Sequence, residues 1–307
     1  MKKNPNAVKG GKDETILHII AYIFVSIVAL SCLLPFILVI SASFSSESAI
    51  LRDGFSLLPN EPGLEAYRQV FNQPNVILRA YMVTIILTIS GTLIALSLQS
   101  ITAYVLARRD FKWRNGFSLF FYITMLFNGG LVPYFILMTQ YLQMRNNYLA
   151  LLLPLLFSVF NLLILKSYIM GIPLEMIESA KVDGCSVFRT YLSIILPLMK
   201  PALATIGLFI ALGYWNDWYS AMLFISDDKM KPLQYMLYEK VNNIEGYKRL
   251  IASGTTSISA EALSAISIPT ESLKMALTVV VTGPIILLYP IIQKYYVKGI
   301  TLGAVKG

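Results

Sequence analysis

The sequence predicts an all-α, polytopic membrane protein with six transmembrane helices. Three observations carry this. Hydrophobic residues make up 56% of the 307 residues, charged residues only 14%, and mean hydropathy is +0.65. Soluble domains carry about 25% charge, so the deficit points to a bilayer as solvent. Six apolar runs approach or exceed the roughly 20 residues that a helix needs to cross the hydrocarbon core. Lys and Arg concentrate in alternate loops, as in a chain threaded back and forth through a membrane.

The runs lie at about 16–43, 81–107, 117–139, 148–169, 202–225 and 274–293. Within hydrocarbon every backbone amide must be satisfied internally, so each run is expected to be helical. Residues 1–15 form a basic N-terminal segment with Lys2, Lys3, Lys9 and Lys12. The first run exceeds the 7–15 residues of a signal-peptide core and is expected to be a retained span. The fifth run is interrupted by Trp215-Asn216-Asp217-Trp218 but is counted as spanning.

Basic residues set the expected orientation. The N-terminal segment, the loop Arg108–Arg114, the segment carrying Lys166, Lys181, Arg189 and Lys200, and the end carrying Lys294, Lys298 and Lys306 hold fifteen Lys and Arg. The alternate segments hold nine over longer stretches. Both termini are therefore expected on the cytoplasmic face of the membrane. Two long segments, about 44–80 and 226–273, fall on the other face. The first carries the turn signals Pro59-Asn60 and Pro62-Gly63. The second is rich in Ser, Thr and Ala near 253–267 and is expected to be a docking surface.

Several function classes are excluded. Cys32 and Cys185 make neither a disulfide framework nor a metal spacing, and His18 is a lone histidine at the start of the first run. The net charge of +8 follows no basic stripe with interleaved aromatics, which argues against nucleic acid. No Gly-x-x-x-x-Gly-Lys-[Ser/Thr] loop occurs, so this chain is expected to hold no nucleotide or cofactor. No catalytic constellation is present.

The informative stretch runs from Ile172 to Pro197. Pro173 suits a helix start. Glu175 and Glu178 are expected in or near the first turn, where the helix dipole favours anions. Leu174, Ile177, Ala180 and Val182 give a short amphipathic helix that Gly184 ends with a sharp turn. A second short helix from about Ser186 returns the chain to the bilayer near Pro197. This is a cytoplasmic helix–turn–helix knob. On physics alone, a docking element and an interfacial hairpin without a partner both remain open.

Glu178-Ser179-Ala180, three residues, Gly184, nine residues, Ile194, one residue and Leu196-Pro197 make a spaced pattern. It resembles the cytoplasmic loop of binding-protein-dependent ABC importer permeases, in which Ser179 is the one departure, replacing a middle Ala. The resemblance runs from about residue 16 to the end. It implies the type I ABC importer permease fold, with 16–300 as the transmembrane domain and about 173–197 as the coupling loop. It also implies that this loop, with Asp183 between its motif residues, enters a cleft on an ATPase subunit. The implied assembly has a second, non-identical permease, two ATPases that hold ATP and Mg, and an external sugar-binding protein. Asn128-Gly129-Gly130-Leu131-Val132-Pro133 and Trp215-Asn216-Asp217-Trp218 resemble the carbohydrate-uptake branch. The tail at 299–307 is similar to maltose-type tails that reach between the paired ATPases.

An ionisable residue inside a span defaults to a functional hypothesis. Asp217 qualifies, with Asn216 beside it and Trp215 and Trp218 flanking. Acceptors plus aromatic platforms suit a sugar. The same residues suit an interfacial aromatic belt equally well. Asn128 and Gly129 either face a cavity or let helices approach closely. The rival readings are an ABC permease for another solute, which the loop motif alone would allow, and a secondary transporter, for which Asp217 is the single candidate charge relay.

Overall fold

The computed structural model describes residues 12–252 and 270–286. The expected tail at 299–307, the Ser/Thr/Ala-rich stretch at 253–267, the first eleven residues and the end of the run at 274–293 lie outside them. The chain divides into two compact units. One holds the described residues up to Asn72 with those from Leu250 to Val280; the other holds Gln73–Arg249 and the remainder.

In the first unit, α1 (Lys12–Ser43) matches the first apolar run. Its side chains from 15 to 37 are all exposed, which for so apolar a helix means a bilayer rather than water. Short helices α2 (Glu47–Asp53) and α3 (Glu65–Val70) follow. A helix over 270–286, α15 at the end of the described chain, carries the start of the sixth run. The Glu47 carboxylate accepts hydrogen bonds from the Glu271 and Ser272 backbone amides at 2.9–3.0 Å and from the Thr270 and Ser272 hydroxyls. The first amides of a helix lack intrahelical partners, and an anion there also meets the positive dipole end.

The second unit is built on α4 (Pro74–Ala107), which begins earlier than the expected 81 because Pro74 suits a first helical turn. It packs along α8 (Val159–Met170) and α12 (Lys200–Asn216). The shared core holds Ala95, Ala103 and Tyr104 of α4, Leu162 and Leu165 of α8, and Ile206 and Tyr214 of α12. Small residues on α4 let its neighbours approach. A Cβ on Gly91 would fall inside the Tyr214 ring, whose hydroxyl donates to Leu152 O at 2.7 Å.

Two runs expected to be continuous are broken, and the fifth breaks at its expected interruption. α5 (Arg114–Leu126) and α6 (Leu131–Ile136), the latter continued by a π-turn to Tyr141, meet at 109°. The break is chemical: Asn128 Oδ1 accepts the Gly130 amide at 2.9 Å, and Gly130 takes φ +88°, open to glycine at little cost. α7 (Tyr148–Leu152), with a 3₁₀ turn to Leu155, bends 46° into α8. The buried Gln99 side chain donates to the freed Leu156 carbonyl at 2.9 Å, which satisfies a group that hydrocarbon would leave bare. The fifth run stops at Asn216, and α13 (Tyr219–Phe224) starts afresh. Among the described residues, two uninterrupted helices, Thr15–Ser43 and Pro74–Ala107, are long and apolar enough to span, and three bent pairs (Arg114–Leu126 with Leu131–Tyr141, Tyr148–Leu155 with Val159–Met170, Val187–Leu198 with Lys200–Asn216) qualify when each is taken as one span.

The elements between α8 and α12 are α9 (Leu174–Val182), α10 (Val187–Thr190), a π-turn (Tyr191–Ile195) and α11 (Leu196–Leu198). After α13 comes α14 (Leu233–Ala252). Lys166 corrects the loop count: it lies within α8, where its Nζ donates to Ser118 Oγ of α5 at 2.8 Å.

Candidate coupling and translocation sites

The knob forms as its residues dictate. Glu175 lies in the first turn of α9, but Glu178 falls one turn later, beyond the free amides. The helix closes with two bonds, Cys185 N–H to Ala180 O at 2.9 Å and Gly184 N–H to Lys181 O at 3.1 Å. That pair needs a left-handed residue between helix and exit, and Gly184 supplies φ +74°. Ser186 then caps α10, its Oγ accepting the Arg189 amide at 3.3 Å. Of the motif residues, Ala180 is buried, Ile194 and Leu196 are half-buried, and Glu178, Ser179, Asp183, Gly184 and Pro197 are exposed.

The knob exposes apolar groups as well. Val182 is 87% and Phe188 64% exposed, with Met176 and Val187 also open. They stand among Glu175, Glu178 and Asp183. Such a mixed apolar and acidic surface on a polar loop is the character of a protein contact.

The knob is fastened to α4. Tyr191 and Ser100 share a buried hydroxyl–hydroxyl bond of 2.7 Å. The Tyr104 and Tyr191 rings lie 5.5 Å apart, and Tyr104 Oη donates to Val187 O at 3.4 Å. Pro197 has no amide to give, and the Leu196 amide reaches back five residues to Tyr191 O, forming the π-turn. The segment Val187–Leu198 then meets α12 at 80°. The knob is thereby joined to both α4 and α12.

The candidate pathway residues separate. Asn128 serves the break described above. Gly129 and Gly130 have open space where a Cβ would be, so among the described residues they pack no helix closely. Trp215 is buried, and its Nε1 has no hydrogen-bond partner among the described residues. Asp217 Oδ1 accepts the Ser220 amide at 3.1 Å, which starts α13, so half of its carboxylate is committed to the backbone. Asn216 is exposed. Trp218 is half-buried and stacks on Tyr238 of α14, with centroids 4.3 Å apart and planes 22° from parallel.

A cleft of about 330 Å³ opens where the α7–α8 bend faces α12. Phe157, Phe160 and Phe209 wall it, with Ser158, Asn161 and Gly213. Asn161 is only 8% exposed. Its backbone amide bonds to Ser158 Oγ at 3.4 Å, while its side-chain amide has no partner among the described residues. A buried carboxamide normally finds partners, and this one borders open space. Sequence reasoning passed over Asn161, although a polar residue inside the fourth apolar run was a readable signal.

Residues 99–302 match the family described as the binding-protein-dependent transport system inner membrane component. The chain belongs to that family. The permease protein of a polygalacturonan/rhamnogalacturonan transport system from Bacillus subtilis (strain 168) is 39% identical, over 95% of this chain and 99% of the relative. The permease protein of a trehalose/maltose transport system from Thermococcus litoralis is 30% identical, over 96% and 99%. A chain in the crystal structure of a bacterial ABC transporter that imports the acidic polysaccharide alginate superposes with a TM-score of 0.79. It is 27% identical and covers 94% of this chain and 100% of that one. This importer-family member is a transport subunit of a membrane, not an enzyme. ATP hydrolysis belongs to separate partner subunits.

Proposed function

We propose that this permease forms half of the translocation pathway for an oligosaccharide, and that the cleft between α8 and α12 touches it. The observation that carries the proposal is Asn161, a buried amide with unused donors and acceptor beside three phenyl rings. Hydroxyls need such an amide, and sugar C–H faces need such rings. The relatives are named for transport of polygalacturonan/rhamnogalacturonan and of trehalose/maltose, and the structural neighbour for import of the acidic polysaccharide alginate. A uronate-containing oligosaccharide is therefore the first substrate to try.

In this reading the chain crosses the membrane six times with both termini cytoplasmic. α5 with α6 is one span, α7 with α8 another and α12 with α13 a third, and the last span begins in α15. The knob at 173–197 docks on an ATPase subunit, and the tail at 299–307 reaches the same partners. A non-identical permease supplies the other half of the pathway, and an external binding protein delivers the sugar against 44–80 and 226–273. The half-pathway reading is tested with the complete importer in proteoliposomes. Asn161→Leu is expected to raise the KM for oligogalacturonate uptake several-fold, as loss of one or two hydrogen bonds of about 1 kcal/mol each requires. Unchanged uptake kinetics in that variant would remove the cleft from the pathway.

A further inference from the structure

The stripe of α12 that lines the cleft does not end with it. Phe209 and Gly213 both border the cleft. Asn216 follows at the i, i+4, i+7 spacing that keeps residues on one helix face. It lies about 5 Å beyond Gly213 along the axis. At that point α14 meets the stripe through two residues one turn apart, Gln234 and Tyr238. Gln234 Nε2 donates to Asn216 Oδ1 at 3.4 Å, and Tyr238 stacks on Trp218 at 4.3 Å. Tyr219 closes the edge of the Trp218 ring at 5.7 Å and 84°.

Resting on the pathway reading above, we propose that Asn216, Gln234, Trp218 and Tyr238 form a second saccharide contact that receives a sugar ring before it enters the cleft. The chemistry is specific. The Asn216–Gln234 bond uses one donor and one acceptor, and leaves the Asn216 Nδ2 donor and the Gln234 Oε1 acceptor for a ligand. Such a pair suits a vicinal diol, in which one hydroxyl accepts and its neighbour donates. Tyr238 is 37% exposed, and Trp218 covers one of its faces, so the open part of the ring can take the apolar face of a pyranose. The Tyr238 hydroxyl and Trp218 Nε1 have no partner among the described residues, which adds two more unused polar groups. A lipid-facing aromatic belt would use the same rings but has no need of the paired amides.

The test uses the complete importer in lipid nanodiscs, with trigalacturonate as probe and maltotriose as its neutral counterpart. The chain contains three tryptophans. Trigalacturonate is expected to change the intrinsic tryptophan emission of the wild type and to leave that of Trp218→Phe unchanged. In uptake assays Tyr238→Ala and Gln234→Leu are expected to raise KM roughly five- to tenfold with little change in maximal rate. Tyr238→Phe is expected to recover most of the loss seen in Tyr238→Ala, since it keeps the ring. A response to maltotriose alone would keep the platform and assign it to neutral sugars. Unchanged KM in both Tyr238→Ala and Gln234→Leu overturns the proposal, as does an emission change that persists in Trp218→Phe. Asn161→Leu keeps the two readings apart: platform variants that alter KM while Asn161→Leu does not would sink the cleft and leave the platform standing.

Discussion

Replacing Gly184 isolates the backbone of the coupling loop from its packing. The residue sits at φ +74°, and a Cβ there meets nothing within 4 Å in this chain. Gly184→Ala therefore costs only the left-handed conformation itself, about 1–2 kcal/mol for an L-residue. Gly184→Val costs more, because its branched side chain is stiff at χ1. Gly184→Asn costs least, since Asn tolerates that region. A penalty of about 1.4 kcal/mol lowers the population of the competent turn tenfold where that turn competes with an alternative. The assay is ATP-driven uptake in proteoliposomes, together with ATPase activity stimulated by the loaded binding protein. Coupled transport is expected to fall in the order Gly, Asn, Ala, Val, while insertion into the membrane is retained. If the order instead follows side-chain volume, with Asn worse than Ala, the space around Gly184 is occupied in the assembled importer and sterics govern the site. Full coupling in Gly184→Val would refute the role of this bend altogether.

Three other outcomes follow from the geometry. Gly91→Ala drives a methyl into the Tyr214 ring, which its bond to Leu152 O holds in place, and is expected to cost about 1–3 kcal/mol, read as a lower unfolding temperature in detergent. Tyr191→Phe removes the bond to Ser100, whose Oγ still donates to Ser97 O at 3.2 Å, and is expected to cost about 1 kcal/mol and to uncouple ATPase activity from uptake more than it lowers ATP turnover; equal loss of both would place its role in stability alone. At Glu47 partial burial raises the carboxyl pKa, but bonds from Glu271, Ser272 and Thr270 outweigh it and hold the group below its ordinary range. A folded-state pKa below the unfolded value stabilises at neutral pH, and that contribution is lost as pH falls through the depressed value. Amide exchange at Glu271 and Ser272 is expected to stay slow down to about pH 4, the ordinary carboxylate range, and Glu47→Gln to speed it at neutral pH; a mutant with wild-type protection would show that the cap is unimportant.

The knob was legible because its signals are local. Pro173, Glu175 in the first turn, Gly184 as helix stop and a second helix from about Ser186 act within a few residues of one another, and the structure forms each of them, with Glu178 one turn later than expected. The breaks in the spans were half legible. Asn128-Gly129-Gly130 and Asn216-Asp217 were visible as oddities in apolar runs, but hydropathy averaged over 20 residues registers neither a bend of 109° nor a restart at α13. The roles within those oddities were not legible. Asp217 read as an intramembrane charge, yet an N–H three residues away takes one of its oxygens. Lys166 read as a loop cation, yet it sits inside α8 against Ser118.

By itself, then, the sequence determined that this is a helical membrane protein with a helix–turn–helix knob that turns at Gly184. Apolar length, loop charge and capping chemistry are properties of neighbouring residues, and they hold wherever the rest of the chain goes. Only the tertiary structure decided that Asn161 borders a cleft, that Tyr191 fastens the knob to Ser100, and that Tyr238 stacks on Trp218. The last two join residues that are 91 and 20 positions apart, and the first requires α12 to leave one side of α8 uncovered. Whether a buried amide is satisfied or open depends on what packs against it, and that partner comes from a distant part of the chain.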